Sequence, residues 1–109
     1  MIKEGLCAMI RAEEEVLTAT LHGEIDHHTA AKVRGEIDTA LFKHRPKTLR
    51  IDLAGVDFMD SSGLGLILGR AALCRELNAG LTLLHPGERI MRVFRVVGLE
   101  RLTHITIEE

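Results

Sequence analysis

This sequence predicts an α/β domain, a mixed sheet with helices packed mainly on one face, in the order β-β-α-β-α-β-α-β. Three observations carry that reading. The apolar period switches repeatedly along the chain between two residues and about 3.6. The first two period-two runs flank a short acidic turn, which gives an antiparallel hairpin. The later strands alternate with helices, which gives parallel pairing through crossovers. Several strands also alternate apolar with polar residues instead of running apolar throughout, so one sheet face is covered and the other left partly open.

Taken in order, Leu6, Ala8 and Ile10 alternate with Cys7, Met9 and Arg11, and Leu17, Ala19 and Leu21 with Thr18, Thr20 and His22. Glu13-Glu14-Glu15 between them is a solvated turn. From Thr29 the period becomes helical: Ala30, Val33, Ile37 and Leu41 face one way, Lys32, Arg34, Glu36 and Asp38 the other. Asp26 is the N-cap. Arg45-Pro46 closes the helix, because a residue before proline is pushed out of the α region. Leu49, Ile51 and Leu53 alternate with Arg50 and Asp52 as a strand with one face buried. Gly55 to Met59 then leads into Asp60-Ser61-Ser62-Gly63 and a helix to about Asn78. Leu64, Ile67, Leu68, Ala71, Ala72 and Cys74 form its expected apolar face. Leu66, Leu73 and Leu77 make a second stripe, either packed on a neighbouring helix or exposed to a partner. Ala79-Gly80 ends this helix through a left-handed glycine. Leu81–Leu84 is a short strand, and Pro86-Gly87 starts a third helix that turns Ile90, Phe94 and Val97 inward and stops at Gly98. Thr103–Ile107 is the last strand, with His104 and Thr106 alternating with Ile105 and Ile107.

The 109 residues make one domain, residues 1–109, and can bury roughly two-thirds of their unfolded surface. With 46% hydrophobic and 28% charged residues, the chain has a globular composition and not that of a disordered tail. A net charge of −2 with scattered Lys and Arg argues against nucleic acid or an anionic membrane as partner. The apolar stretches are too short to cross a bilayer, and Met1-Ile2-Lys3-Glu4-Gly5 has no apolar leader. Cys7 and Cys74 stand far apart without a CxxC, as two reduced thiols would in the cytoplasm. A cytoplasmic monomer is expected.

Chemistry concentrates at Asp60-Ser61-Ser62-Gly63, at the C-terminal end of a strand and the start of a helix, the usual place for function in open α/β sheets. Such an end leaves backbone N–H groups unpaired and carries about half a positive charge. Asp60, Ser61 and Ser62 all cap helices, yet capping accounts for one of the three. It does not account for two serines followed by glycines that keep the site sterically open. A nucleophilic serine is the enzymatic alternative, with His27, Asp26 and Asp60 as conceivable helpers, but GxSxG is absent. The glycines at 63, 65 and 69 do not make a phosphate loop, which needs GxxxxGK[ST]. Asp26-His27-His28 invites a metal, but three adjacent residues point in different directions, so a loop and helix cap is the better reading and no metal is expected.

Two segments also carry a resemblance. Gly23-Glu24-Ile25-Asp26-His27-His28-Thr29-Ala30 and Phe58-Met59-Asp60-Ser61-Ser62-Gly63-Leu64-Gly65-Leu66-Ile67-Leu68-Gly69-Arg70 closely resemble the anti-sigma factor antagonists of the STAS domain family, nearest to the stage II sporulation AA type. The likeness covers almost the whole chain, and the longer segment is its specific part. It implies a STAS fold and a phosphorylation switch, not an enzyme. The unphosphorylated protein would bind an anti-sigma factor that is also a serine kinase and so free the sigma factor. The kinase would phosphorylate Ser61 with its own ATP, no cofactor being held by this chain, and a PP2C-type phosphatase would restore it. Gly23, Glu24, Asp26, His27, Asp60, Ser62, Gly63 and Arg70 are the partner-binding residues the resemblance implies. Members of the type often continue past the last strand into another short helix, whereas this sequence reads to Glu109. A STAS module of another stress-response system and a small serine hydrolase are the rival functions.

Overall fold

The fold, taken from a computed structural model, is described for residues 7–102 and 104–109. Leu6 and Thr103, which the sequence reading puts in the first and last strands, lie outside the described residues, as does the side chain of Cys7. Strand β1 (Cys7–Glu13) turns into β2 (Val16–Ile25), followed by α1 (His27–His44), β3 (Thr48–Met59), α2 (Ser61–Glu76), β4 (Gly80–Leu84), α3 (Glu88–Val97) and β5 (Ile105–Glu108). A single 3-10 turn, Leu99–Arg101, bridges α3 and β5 and has no forerunner in the sequence reading. The sheet runs β1-β2-β3-β4-β5; β1 pairs antiparallel with β2 and every later pair is parallel. Glu13 pairs with Val16 across the hairpin, so Glu14 and Glu15 form the turn, with Glu14 at φ 52°.

The alternation decides which sheet face holds the core. Leu17, Ala19 and Leu21 on β2, Leu49, Ile51 and Leu53 on β3, and Leu81 and Leu83 on β4 are buried, and Ala30, Val33, Ile37 and Leu41 of α1 join them in one cluster. Ile67, Ala71 and Cys74 of α2 and Ile90 and Phe94 of α3 belong to the same cluster. The intervening residues Thr18, Thr20, Arg50, Asp52 and Thr82 stay half-buried on the other face. The molecule is only 20 Å through its thinnest dimension, the thickness of one sheet and one helix layer.

Four details depart from the sequence reading. Strand β3 continues through Gly55 to Met59, because the glycine is there for close packing: a Cβ at Gly55 would lie 2.6 Å from the His22 Cβ on β2. In α2 the buried face is Gly63, Leu66, Ile67, Arg70, Ala71 and Cys74, while Leu68 and Ala72 are exposed. Apolar residues surround this helix, so periodicity could not say which side faced the sheet; Leu66 is core, and Leu73 and Leu77 pack against it. Asn78 at φ 59°, not Gly80, takes the left-handed position after α2, and Gly80 opens β4. In α3, Met91 turns inward beside Ile90 and Phe94, and Val97 is exposed at the last position.

Cys74 is free, fully buried and next to the charged side chains that join α2 to α1. Its thiol is pushed from about 9 up to about 11 by burial, against the pull of Arg70 and with a further push from Asp38. Between pH 9 and 11 the unfolded chain therefore loses a proton that the folded chain keeps, and stability falls as pH rises through that window. The expected decline from this thiol is roughly 2–3 kcal/mol. Urea denaturation of wild type and Cys74→Ala across pH 8 to 11 checks it: the gap between the two should close as pH rises, and a constant gap would contradict the burial effect.

Candidate functional site at two adjacent helix N-termini

Strands β2 and β3 end side by side, with Glu24 opposite Phe58 and Ile25 opposite Met59. The Asp60 N–H donates to the Ile25 carbonyl at 3.3 Å, which ties the two strand ends together. Each strand feeds directly into a helix, so the N-termini of α1 and α2 emerge as neighbours. The two predicted segments, residues 23–30 and 58–70, meet at this edge.

Each helix has an aspartate cap. Asp26 accepts from the His28 and Thr29 N–H groups at 3.0 Å, and the Thr29 hydroxyl accepts from the Asp26 N–H at 3.0 Å, a reciprocal capping box. Asp60 accepts from the Ser62 N–H at 2.8 Å and the Gly63 N–H at 3.4 Å. The cap position is thus filled by Asp60, and neither serine is needed for it. Ser61 is the first helical residue, exposed, and its hydroxyl makes no hydrogen bond among the described residues. Ser62, one place on, is half-buried and lines a groove between α1 and α2.

The other predicted residues divide by depth. Gly23 takes φ 105°, a left-handed conformation at a break in the β2–β3 register, and Glu24 and His27 are exposed around it. The His27 and His28 rings meet edge to face at 5.7 Å, and among the described residues no three His, Cys, Asp or Glu side chains are placed to share a metal ion. Gly63 does not keep the site open, as the sequence reading has it. It is buried, and a Cβ there would lie 2.6 Å from the Met59 Cβ and 2.9 Å from the Ile25 Cγ2, so the glycine lets α2 press onto the strand ends. The open position is Gly65, where an added Cβ meets nothing within 4 Å.

Arg70 does not reach the surface that the other residues form. It is 6% exposed, and its Nε lies 2.9 Å from Asp38 Oδ1 of α1. The alignment falls short of a hydrogen bond, so Arg70 Nε and Nη1 and Asp38 Oδ1 have none. Burial lowers the Arg70 pKa, Asp38 opposes that, and Arg34 adds to it. Two surface residues escaped the sequence reading. Phe58, 43% exposed, stands opposite Glu24; its place in a strand ending beside the serines was the available signal. Arg34, exposed, lines the groove with His27 and Ser62, and its seven-residue spacing from His27 puts both on one face of α1.

A mixed sheet with a hairpin entry, helices over one face and a free serine hydroxyl at a helix start define a small α/β module built to present that edge. The sequence profile of the STAS domain family matches residues 8–109, and the chain belongs to that family. Its relatives are bacterial anti-sigma factor antagonists. The anti-sigma F factor antagonist of Lysinibacillus sphaericus is 38% identical over 85 residues, 78% of this chain and 73% of the relative. The anti-sigma-B factor antagonist of Listeria monocytogenes is 37% identical over 83 residues, 76% of this chain and 72% of the relative. The structure of the anti-sigma factor antagonist SpoIIAA in its unphosphorylated form superposes with a TM-score of 0.79 at 30% identity, covering 93% of this chain and 87% of that one. The phosphorylated form of the Bacillus protein superposes with a TM-score of 0.74, over 93% and 90%.

Proposed function

We propose that this chain is an anti-sigma factor antagonist that works by exchange of partners. Unphosphorylated, it binds an anti-sigma factor that is also a serine kinase, and the sigma factor is released. Phosphorylation of Ser61 ends the interaction, and a PP2C-type phosphatase restores it. The chain is a monomeric cytoplasmic binding module and catalyses nothing itself; ATP arrives with the kinase, and no cofactor is held here. The observation that carries this reading is the exposed Ser61 hydroxyl, spared from capping by Asp60, at the first helical position of α2. Sporulation-type transcription is the programme served, after the F-type relative, with a stress-response system as the second reading because the B-type relative is almost as similar.

A phosphate at Ser61 switches binding without unfolding the domain. It adds about −1.5 to −2 charges at a helix N-terminus, which favours anions locally by about 0.3–1 kcal/mol. The Asp60 carboxylate already occupies the Ser62 and Gly63 N–H groups, so the phosphate stands as a second anion on the outward side. An unpaired charge buried under a partner costs several kcal/mol, and each 1.4 kcal/mol is tenfold in affinity. Titration calorimetry with a purified F-type anti-sigma kinase tests this. Ser61→Ala should bind as wild type, and Ser61→Asp should bind roughly tenfold or more weakly with unchanged circular dichroism. Equal binding by Ser61→Asp would remove the switch from this serine.

A further inference from the structure

The groove between α1 and α2 says what kind of group the partner brings, an inference that rests on the antagonist reading above. It has a volume of about 360 Å³. Its walls are the small or apolar residues Ala30, Ala31, Gly65 and Leu66, and its polar groups are those of His27, Arg34 and Ser62. Among the described residues no acidic side chain lines it. Arg34 is exposed and makes no ion pair among the described residues. The helix neighbour that would ordinarily neutralise it, Asp38 at i+4, is held by Arg70 at 2.9 Å. Arg70 therefore does two things: it joins α2 to α1, and it leaves Arg34 without a counter-charge at the rim of an apolar slot. That slot begins at Ser62, the residue after the exposed serine.

We propose that this groove receives an acidic side chain of the anti-sigma factor, its carboxylate on the Arg34 guanidinium and its stem against Ala31 and Leu66. A guanidinium takes a carboxylate through two parallel N–H···O bonds, and small residues at 30, 31 and 65 leave room for the stem. The same geometry accounts for the sign of the switch. A phosphate on Ser61, the residue before the Ser62 that lines the slot, adds negative charge next to it in sequence and would repel the incoming carboxylate.

Calorimetry with the purified F-type anti-sigma kinase at low and high salt tests the inference. Arg34→Glu should bind roughly a hundredfold more weakly and Arg34→Lys roughly tenfold, since lysine keeps the charge and loses the fork. Raising the salt should narrow the difference between wild type and Arg34→Met. A Glu→Lys or Asp→Lys change in the kinase should restore binding to Arg34→Glu selectively. Arg34 is exposed, so thermal melting should not move. If wild type binds and Arg34→Glu binds equally, the groove is not read by an acidic group, although the antagonist function stands. If wild type binds neither an F-type nor a B-type anti-sigma kinase, the antagonist reading falls and the inference falls with it.

Discussion

Asp38→Ala should destabilise the fold by about 3 kcal/mol, while Arg70→Met should stay within about 1 kcal/mol of wild type. The two substitutions break the same ion pair, and their difference lies in what each leaves behind. Arg70 is 6% exposed, its Nη1 has no hydrogen bond, and burial has already lowered its pKa despite the carboxylate beside it. Removing Asp38 leaves a buried, unpaired guanidinium, the costly case. The figure sits at the low end of the usual 3–5 kcal/mol because the Asp38 side chain keeps 29% of its surface in water. Removing Arg70 instead leaves a carboxylate that can turn to solvent or to Arg34 at i−4, and methionine refills the space with apolar atoms. Adding Arg70→Met to Asp38→Ala should therefore recover most of the lost stability. Urea denaturation of the three variants measures this, and equal destabilisation by both single changes would show the pair to be a net stabiliser.

Gly63→Ala should cost about 2 kcal/mol, whereas Gly65→Ala, two residues along the same helix, should stabilise by up to about 1 kcal/mol. Helix propensity alone favours both changes, since alanine outranks glycine by about 0.8–1.0 kcal/mol in a helix interior. Sterics separate them. The new Cβ at 63 would sit 2.6 Å from Met59 Cβ and 2.9 Å from Ile25 Cγ2, the first a near-backbone atom that cannot swing away, so the start of α2 must move off the sheet. At 65 nothing lies within 4 Å. Because Ser61 rides on the first turn of α2, Gly63→Ala should also slow phosphate transfer to Ser61. Melting temperatures of the two variants read the contrast, and a stabilising Gly63→Ala would contradict the close approach.

The sequence disclosed the element order and both helix starts because these depend on local rules. Periodicity marks strands and helices, and the aspartates at 26 and 60 stand at the N-cap positions, where their carboxylates accept from the first free N–H groups. It disclosed less where the decisive contact lies across the sheet. Gly55 reads as lying past the strand until His22 is seen against it, and Gly63 as keeping the site open until Met59 and Ile25 are seen beneath it. The orientation of α2 was hidden because its core face includes a glycine and an arginine, residue types that pattern reading assigns to the outside. Arg70, which the resemblance implies to be partner-binding, is 6% exposed. The resemblance pointed to the serine, whereas the geometry separates Ser61, exposed and unbonded, from Ser62, half-buried at the groove. Arg34 was legible only as one charge on a polar helix face, since nothing local says that Arg70 takes its counter-ion.

The most direct measurement is to incubate the chain with an F-type anti-sigma kinase and ATP and to locate the added phosphate by mass spectrometry. One phosphate should be found, on Ser61, absent from Ser61→Ala and retained by Ser62→Ala. Phosphate on Ser62, or none on a chain that binds the kinase, would contradict a switch built on the exposed serine at the start of α2.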